Sequence, residues 1–383
     1  TFPFSLHSFL KGMPEWLGQK IRIEKTIRSK LSYKGKIYFI HHHTSHASAS
    51  YFPSPFKESA ILTIVGIGEY QTTALWTGRE NKLTLLKYIN FPHSLGLFYS
   101  TFTSFLGFRV NEDEYKVMGL GAYGKPTLRK EMHKIIDIKE DGSFNLNTKY
   151  FAFRQGIDMW SKHFISLFGQ PRMPHEIITQ RHKNIASSCQ YIFEEVYFKI
   201  LNHLHNRTNL NNLCIGGGVA LNALANGKIY TKTPFKKVYI IGPAGDGGSA
   251  LGAPLFLFHH IMGNKKRNFI DNLYLGSNYS DEKIEQKLKE SKLDFVKSSD
   301  SRSLITKAAR LLAQNNIISW FQGRMEYGPR ALGSRSILAN PKNLSMKDKV
   351  NRIKIREQFR PFAGSILQEH VHEYFEVPEN NHF

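Results

Sequence analysis

The chain of 383 residues is poor in cysteine, poor in acid, and without a long apolar run. Its two cysteines, Cys189 and Cys214, stand in apolar surroundings with no C-x-x-C pairing. That excludes a disulfide framework, disfavours a thiolate metal site, and makes a reducing, cytoplasmic setting the expectation. No stretch approaches the ~20 apolar residues of a membrane-spanning helix, so no membrane partner is expected. There is no internal repeat, heptad or low-complexity tract. Acidic residues number 31 against 52 Lys and Arg, a net charge of +21. The lysines are scattered rather than gathered in a block, which predicts weak polyanion affinity and disfavours a dedicated nucleic-acid partner. Position 1 is Thr, no charged and apolar leader follows it, and the end at Glu376–Phe383 has no cap or polar tail. The sequence thus reads as cut at both ends.

What is present is the composition of an ordinary globular protein, 41% hydrophobic and 22% charged, long enough for two domains or three. Lys36–Ile40 and Ala60–Val65 read as buried strands. Apolar residues from Ile185 to Leu204 recur at three- and four-residue steps, predicting an amphipathic helix over 180–204. Strands at Asn212–Ile215 and Lys237–Ile241 each run into a glycine turn, and a helix is expected over 250–260. Strand, glycine turn and helix in repeated order indicate an α/β layer architecture. The Gly/Asn/Lys-rich stretch 262–268 reads as a linker or exposed loop, placing a boundary near 270 between domains 1–270 and 271–383. Beyond it a helix opens at Ser280–Ile284, and a strand runs over Ile317–Phe321.

Four segments carry groups suited to chemistry. In His41-His42-His43-Thr44-Ser45-His46, His42 and His46 are four residues apart and share a face on a helical turn, a spacing that suits two ligands of a divalent ion. Asp246, flanked by glycines after a strand, is a candidate third ligand. The alternative is a polar loop with unrelated histidines. Gly216-Gly217-Gly218, with Asn222 beyond, lets backbone approach a nucleotide, although such turns also serve packing alone. The segment 323–336 carries Arg324, Arg330 and Arg335, and the segment 354–362 carries Lys354, Arg356 and Arg360. Six cations interleaved with Gly, Pro and aromatics favour an anion pocket over a solvated basic face.

Taken together, these segments, with His42–Phe56, Phe91–Ser100 and Glu114–Leu120, resemble the O-carbamoyltransferase family of the nodulation, cephamycin and tobramycin pathways over essentially the whole chain. The resemblance implies an actin-like domain of duplicated ribonuclease-H type, followed by a YrdC-like α/β domain. It implies an ATP-dependent reaction in which carbamoyl phosphate becomes carbamoyl-adenylate, and the carbamoyl group then passes to a hydroxyl of a sugar, aminoglycoside, lipooligosaccharide or other secondary metabolite. On this basis His42, His46 and Asp246 are expected to hold a divalent metal of the Fe2+ kind. Gly217, Gly218 and Asn222 are expected to hold the adenylate, and Arg330, Arg335, Lys354, Arg356 and Arg360 to hold ATP and carbamoyl phosphate, with Mg2+ a further candidate. Glu114 and Lys116 are expected at the transfer site. A homo-oligomer is left open.

Two departures from the family pattern stand out. Val65 occupies a strand-end position where the family carries Asp, with Glu69 nearby, and the family's outer segments are absent at both ends. Competing readings are a catalytically degenerate scaffold, a tRNA threonylcarbamoyl transferase, and an actin-like sugar kinase, which has no evident need for the histidine pair.

Overall fold

The computed structural model describes residues 6–154 and 158–377. The chain ends, read from the sequence as cut, include Thr1 and Pro378–Phe383, which lie outside the described residues. The chain divides after Phe269 into two compact units.

The first unit opens with helices α1 (Leu6–Glu15), α2 (Ile23–Leu31) and α3 (His42–Tyr51), then strands β1 (Glu58–Gly68), β2 (Gln71–Arg79) and β3 (Lys82–Asn90). Helices α4 (Leu95–Phe105), α5 (Glu114–Gly121) and α6 (Arg129–Ile135) follow, then a small hairpin of β4 (Ile136–Ile138) and β5 (Phe144–Leu146). After α7 (Lys162–Phe168), the long α8 (Gln180–Thr208) leads to β6 (Asn212–Gly216), α9 (Ala223–Asn226), α10 (Ile229–Lys232), β7 (Lys237–Ile240) and α11 (Asp246–Leu255). The main sheet has the order β3-β2-β1-β6-β7. Its first three strands are antiparallel neighbours, while β6 and β7 run parallel to β1. The carboxyl ends of β1, β6 and β7 therefore lie along one edge, the place where open α/β sheets bind ligands.

Strand β1 forms the centre because Ala60, Ile61, Leu62, Ile64 and Val65 are buried with neighbours on both sides. Each aliphatic side chain fully removed from water contributes about 1.5–3 kcal/mol. Ile61 joins Trp76, Ala74 and Cys214 in a cluster with Ala47, Tyr51 and Phe52 from the α3 region and Leu255 of α11. Strand alternation turns Leu62 and Ile64 to the opposite face, where α4 and α8 pack against β1. Helix α8 buries Ile185, Ile192, Phe193, Val196, Tyr197, Ile200 and Leu204, the residues its periodicity selects. It starts at a capping box between Thr179 and His182 and stops at Asn209, whose φ of 52° is left-handed.

Two expectations are corrected, and a third, the exposed loop over 262–268, is met with one exception. Lys36–Ile40 is not a strand, and Tyr38 and Phe39 are exposed, because no strand among the described residues pairs with this run and an unpaired apolar run has no ladder to hold it. The helix expected over 250–260 begins four residues earlier, at Asp246, and passes after Leu255 into a π-helical turn, Phe256–Ile261. The stretch 262–268 is exposed except at Arg267, whose guanidinium lies 4.1 Å from the Tyr51 ring centroid and donates to the carbonyls of Phe52 (3.0 Å), Phe56 (2.7 Å) and Ser54 (3.1 Å). A cation thus caps the carboxyl end of α3. Cys189 and Cys214 are buried free thiols.

The second unit carries α12 (Asp281–Glu290), α13 (Ser301–Ala313), β8 (Ile318–Phe321), β9 (Arg335–Leu338), α14 (Met346–Ile353) and α15 (Val371–Tyr374). Ser280 and Asp300 cap α12 and α13 through the N–H groups of Lys283 and Ser303. Strands β8 and β9 pair antiparallel from Ile318↔Leu338 to Phe321↔Arg335, so the loop 322–334 projects from one end of this hairpin. No helix among the described residues is long and apolar enough to cross a membrane.

Candidate metal centre and anion-binding loops

Helix α3 consists largely of small residues and is buried along most of its length. Two of its serines satisfy themselves locally, Ser48 Oγ donating to Thr44 O at 2.7 Å and Ser50 Oγ to Ala47 O at 3.1 Å. Small side chains let α11 approach: a Cβ on Gly252 would stand 1.9 Å from Ser45 O and 3.0 Å from Ala49 N, so only glycine fits. This close crossing brings the first residue of α11, Asp246, over the amino-terminal turns of α3.

There the ligand atoms of His42, His46 and Asp246 all lie within 4.8 Å of one another. The two Nε2 atoms are 3.0 Å apart, and Asp246 Oδ1 is 3.6 Å from that of His42 and 3.3 Å from that of His46. Burial runs from 0% side-chain exposure at His46 through 26% at His42 to 82% at Asp246, so the cluster is walled on the protein side and open on the carboxylate side. Burial and the neighbouring His46 ring lower the pKa of the His42 imidazole, which favours its neutral form. The Asp246 carboxyl is lowered by its hydrogen bond with His46 and by both rings. Imidazole nitrogens and a carboxylate oxygen converging on one point are the donors a divalent ion takes, and the set fits one.

The other histidines of the run are used differently. His43, one residue round the helix, turns to the sheet, where its Nδ1 lies 2.7 Å from Thr63 Oγ1, and burial pushes its pKa down to about 3. His41 is exposed and pairs with Glu69 at 2.6 Å. Glu69 is therefore engaged with His41. Val65 is 4% exposed and provides no ligand atom.

The glycine turn after β6 lies on the same sheet edge. Gly217 has φ of 99°, and a Cβ there would meet Ile64 O at 2.2 Å; its N–H donates to Ala244 O at 2.7 Å. Gly218 is exposed and faces open space. Asn222 serves the fold: its Oδ1 accepts from Ala225 N at 3.1 Å, and its amide pairs reciprocally with Gln190 at 3.0 and 3.1 Å. Gln190, a buried partner absent from the sequence-based site, also accepts from Tyr99 Oη at 2.9 Å. Glu114 and Lys116 sit on α5 in local networks. Glu114 Oε1 accepts from Ser100 Oγ at 2.6 Å and Asn111 N at 2.9 Å, and Lys116 pairs with Asp113 at 3.1 Å.

In the second unit the cations divide into two groups. Arg330 and Lys354 are exposed. Arg335 stacks 3.4 Å from the Phe321 centroid and donates to the carbonyls of Gln322 and Ser334, both at 2.8 Å. Arg356 donates to Asn351 Oδ1, with its guanidinium 4.2 Å from the Phe362 centroid, and Arg360 pairs with Glu357 at 3.7 Å. Asn351 is fully buried and holds the carbonyls of Gln358 and Arg360 at 3.2 and 3.1 Å, a role that no spacing in the sequence announces.

The first unit thus carries a two-histidine, one-carboxylate cluster at the carboxyl edge of its parallel strands, and the second carries arginine-bearing loops. The chain belongs to the carbamoyltransferase family: residues 2–255 match the family's carbamoyltransferase N-terminus and residues 309–383 its carbamoyltransferase C-terminus. It is 42% identical to an uncharacterized protein of Synechocystis sp., over 98% of this chain and 64% of that one. It is 34% identical to the nodulation protein NolNO of Sinorhizobium fredii, over 90% of this chain and 49% of the relative. Identity to the nodulation protein NolO of Bradyrhizobium diazoefficiens is 33%, over 89% and 60%. The chain thus spans between 49% and 64% of the length of these curated relatives.

Proposed function

We propose that the protein is an ATP-dependent O-carbamoyltransferase acting on a hydroxyl of a sugar or other small metabolite. The observation that carries this reading is the convergence of two imidazoles and a carboxylate within 4.8 Å inside the part of the chain that matches the carbamoyltransferase N-terminus. The sheet order, two hairpins followed by two parallel strands, supports reading the first unit as a ribonuclease-H-type sheet of the actin-like kind. The second unit is read as YrdC-like from the family resemblance.

In the first reaction carbamoyl phosphate, ATP and water give carbamoyl-adenylate, phosphate and pyrophosphate. In the second, the acceptor oxygen bonds to the carbamoyl carbon, AMP leaves, and the hydroxyl proton passes to solvent or a base. Water releases phosphate to leave carbamate, whose oxygen then displaces pyrophosphate from ATP, so that adenylation supplies the leaving group that the carbamate carbon lacks. Arg330 and Lys354 offer exposed charge to the phosphates, with Mg2+ accompanying ATP. Arg335, Arg356 and Arg360 hold the loops in shape. Gly218 leaves its side of the turn open for the adenylate. His42, His46 and Asp246 would hold an Fe2+-type ion whose chemistry is Lewis acidity toward a carbamoyl or phosphate oxygen.

The intact protein should release pyrophosphate when given carbamoyl phosphate and ATP, with Arg330→Ala reducing the rate at least about tenfold. Elemental analysis should find iron that His46→Ala removes. Val65, which provides no ligand atom, and Glu69, engaged with His41, favour a second reading, a non-catalytic paralogue. Absence of both pyrophosphate release and bound metal would select it.

A further inference from the structure

The loop between β8 and β9 contains one acid among its arginines, Glu326, and its carboxylate is turned inward. Glu326 is 8% exposed, and its Oε1 accepts from three backbone N–H groups: Leu332 at 2.9 Å, Ser334 at 2.7 Å and Arg335 at 3.1 Å. Convergent backbone donors of this kind make an anion nest, and here the protein fills the nest with its own carboxylate. Two arginines close the rest of the loop. Arg324 donates to Leu275 O and Gly276 O, both at 3.1 Å, and Arg335 to Gly323 O at 3.1 Å besides its contacts to Gln322 and Ser334. Arg330 lies between Glu326 and the three amides that Glu326 holds, exposed and with no hydrogen bond or ion pair among the described residues.

From this arrangement we infer that Glu326 is the positioning residue of the anion site. It ties the two ends of the 326–335 arc together and so presents Arg330 in one place before the anion arrives. A long exposed arc carrying an arginine at its tip would otherwise lose its conformational freedom on binding, at the expense of affinity. Three of the loop's N–H groups, those of Leu332, Ser334 and Arg335, are taken up by Glu326, and the exposed side chain of Arg330 is the cation the arc presents to a phosphate. The inference rests on the reading of this loop as the carbamoyl-phosphate site.

The test is steady-state kinetics of pyrophosphate release in the intact protein for Glu326→Ala, Glu326→Gln and, in parallel, Arg330→Ala. Hydrogen exchange at residues 332–335 is followed in each. Glu326→Ala should raise KM for carbamoyl phosphate about tenfold, the effect of losing hydrogen bonds to a charged acceptor, and speed exchange at those amides, while kcat changes little. Glu326→Gln, which keeps an acceptor without the charge, should fall between. A merely structural role would lower kcat, or raise KM for ATP and acceptor together with that for carbamoyl phosphate, and would overturn the proposal. So would unchanged KM in both Glu326 variants while Arg330→Ala raises it, and in that case the loop remains the anion site. Unchanged KM in Arg330→Ala removes the site itself, and the positioning role with it.

Discussion

At the scale of single residues, the structure separates side chains that hold the fold from those left available for chemistry, and the division cuts across residue type. Of the histidines in 41–46, only His42 and His46 meet a carboxylate suited to share a metal, because 3.6 residues per turn place positions four apart on one face and rotate position 43 away to Thr63. That much is legible in the spacing. Arg267 was invisible, since a single arginine in a Gly/Asn/Lys-rich stretch looks like solvated charge; what defines it is the set of carbonyls left unpaired at the end of α3. Several charge-assisted bonds to a half-buried guanidinium predict that Arg267→Ala destabilises the protein by about 2–4 kcal/mol. Arg267→Lys should recover only a fraction, because an ammonium cannot reach divergent carbonyls as a planar fork does. Chemical denaturation of the three proteins checks both statements. A loss below about 0.5 kcal/mol in the alanine variant would place Arg267 among surface charges.

At the scale of elements, β1, α8, β6 and β7 were readable because each carries a periodic or continuous apolar pattern that its burial satisfies. The start of α11 was not: Gly245, Gly247 and Gly248 around Asp246 signal a turn, and the sequence contains no mark that these glycines serve helix packing. Lys36–Ile40 failed for the opposite reason, since strand composition does not supply a partner strand. The crossing of α3 and α11 is the element-level cause of the metal cluster, and it can be tested without touching a ligand. Gly252→Ala would press a methyl group onto Ser45 O, a backbone atom that cannot rotate aside, so the helices must part and carry Asp246 away from the histidines. Overpacking of this kind should lower stability by about 1–3 kcal/mol. Metal affinity should fall at least about tenfold, the loss expected when a ligand's supporting shell is disturbed. Gly218→Ala, at a position with nothing within 4 Å, is the control and should leave folding unchanged. Titration with Fe2+ or Zn2+ under anaerobic conditions reads out the affinities. Equal affinities in Gly252→Ala and the parent chain would show that the crossing does not set the ligand geometry.

At the scale of the whole molecule, the two candidate functions are allotted to different parts of the chain. Every proposed metal ligand lies before residue 270 and every proposed carbamoyl-phosphate cation after it, within separately compact units. A ligand that binds only the folded form stabilises the part that must be folded to bind it, by RT ln(1 + [L]/Kd), about 2.7 kcal/mol at a hundredfold excess over Kd. Divalent metal should therefore slow amide exchange throughout β1, β6 and α3 while leaving β8, β9 and α14 unaffected. Inorganic phosphate or carbamoyl phosphate should do the reverse. Asp246→Asn should abolish the first response and preserve the second, and Arg330→Ala should do the opposite. Hydrogen exchange resolved along the chain distinguishes this pattern from uniform protection by either ligand, which would mean that the units unfold as one and that the allotment of chemistry is not an allotment of stability. The net charge of +21 adds a control, because non-specific anion binding to scattered lysines fades as salt is raised, whereas protection confined to β8, β9 and α14 should persist at about 0.3 M salt.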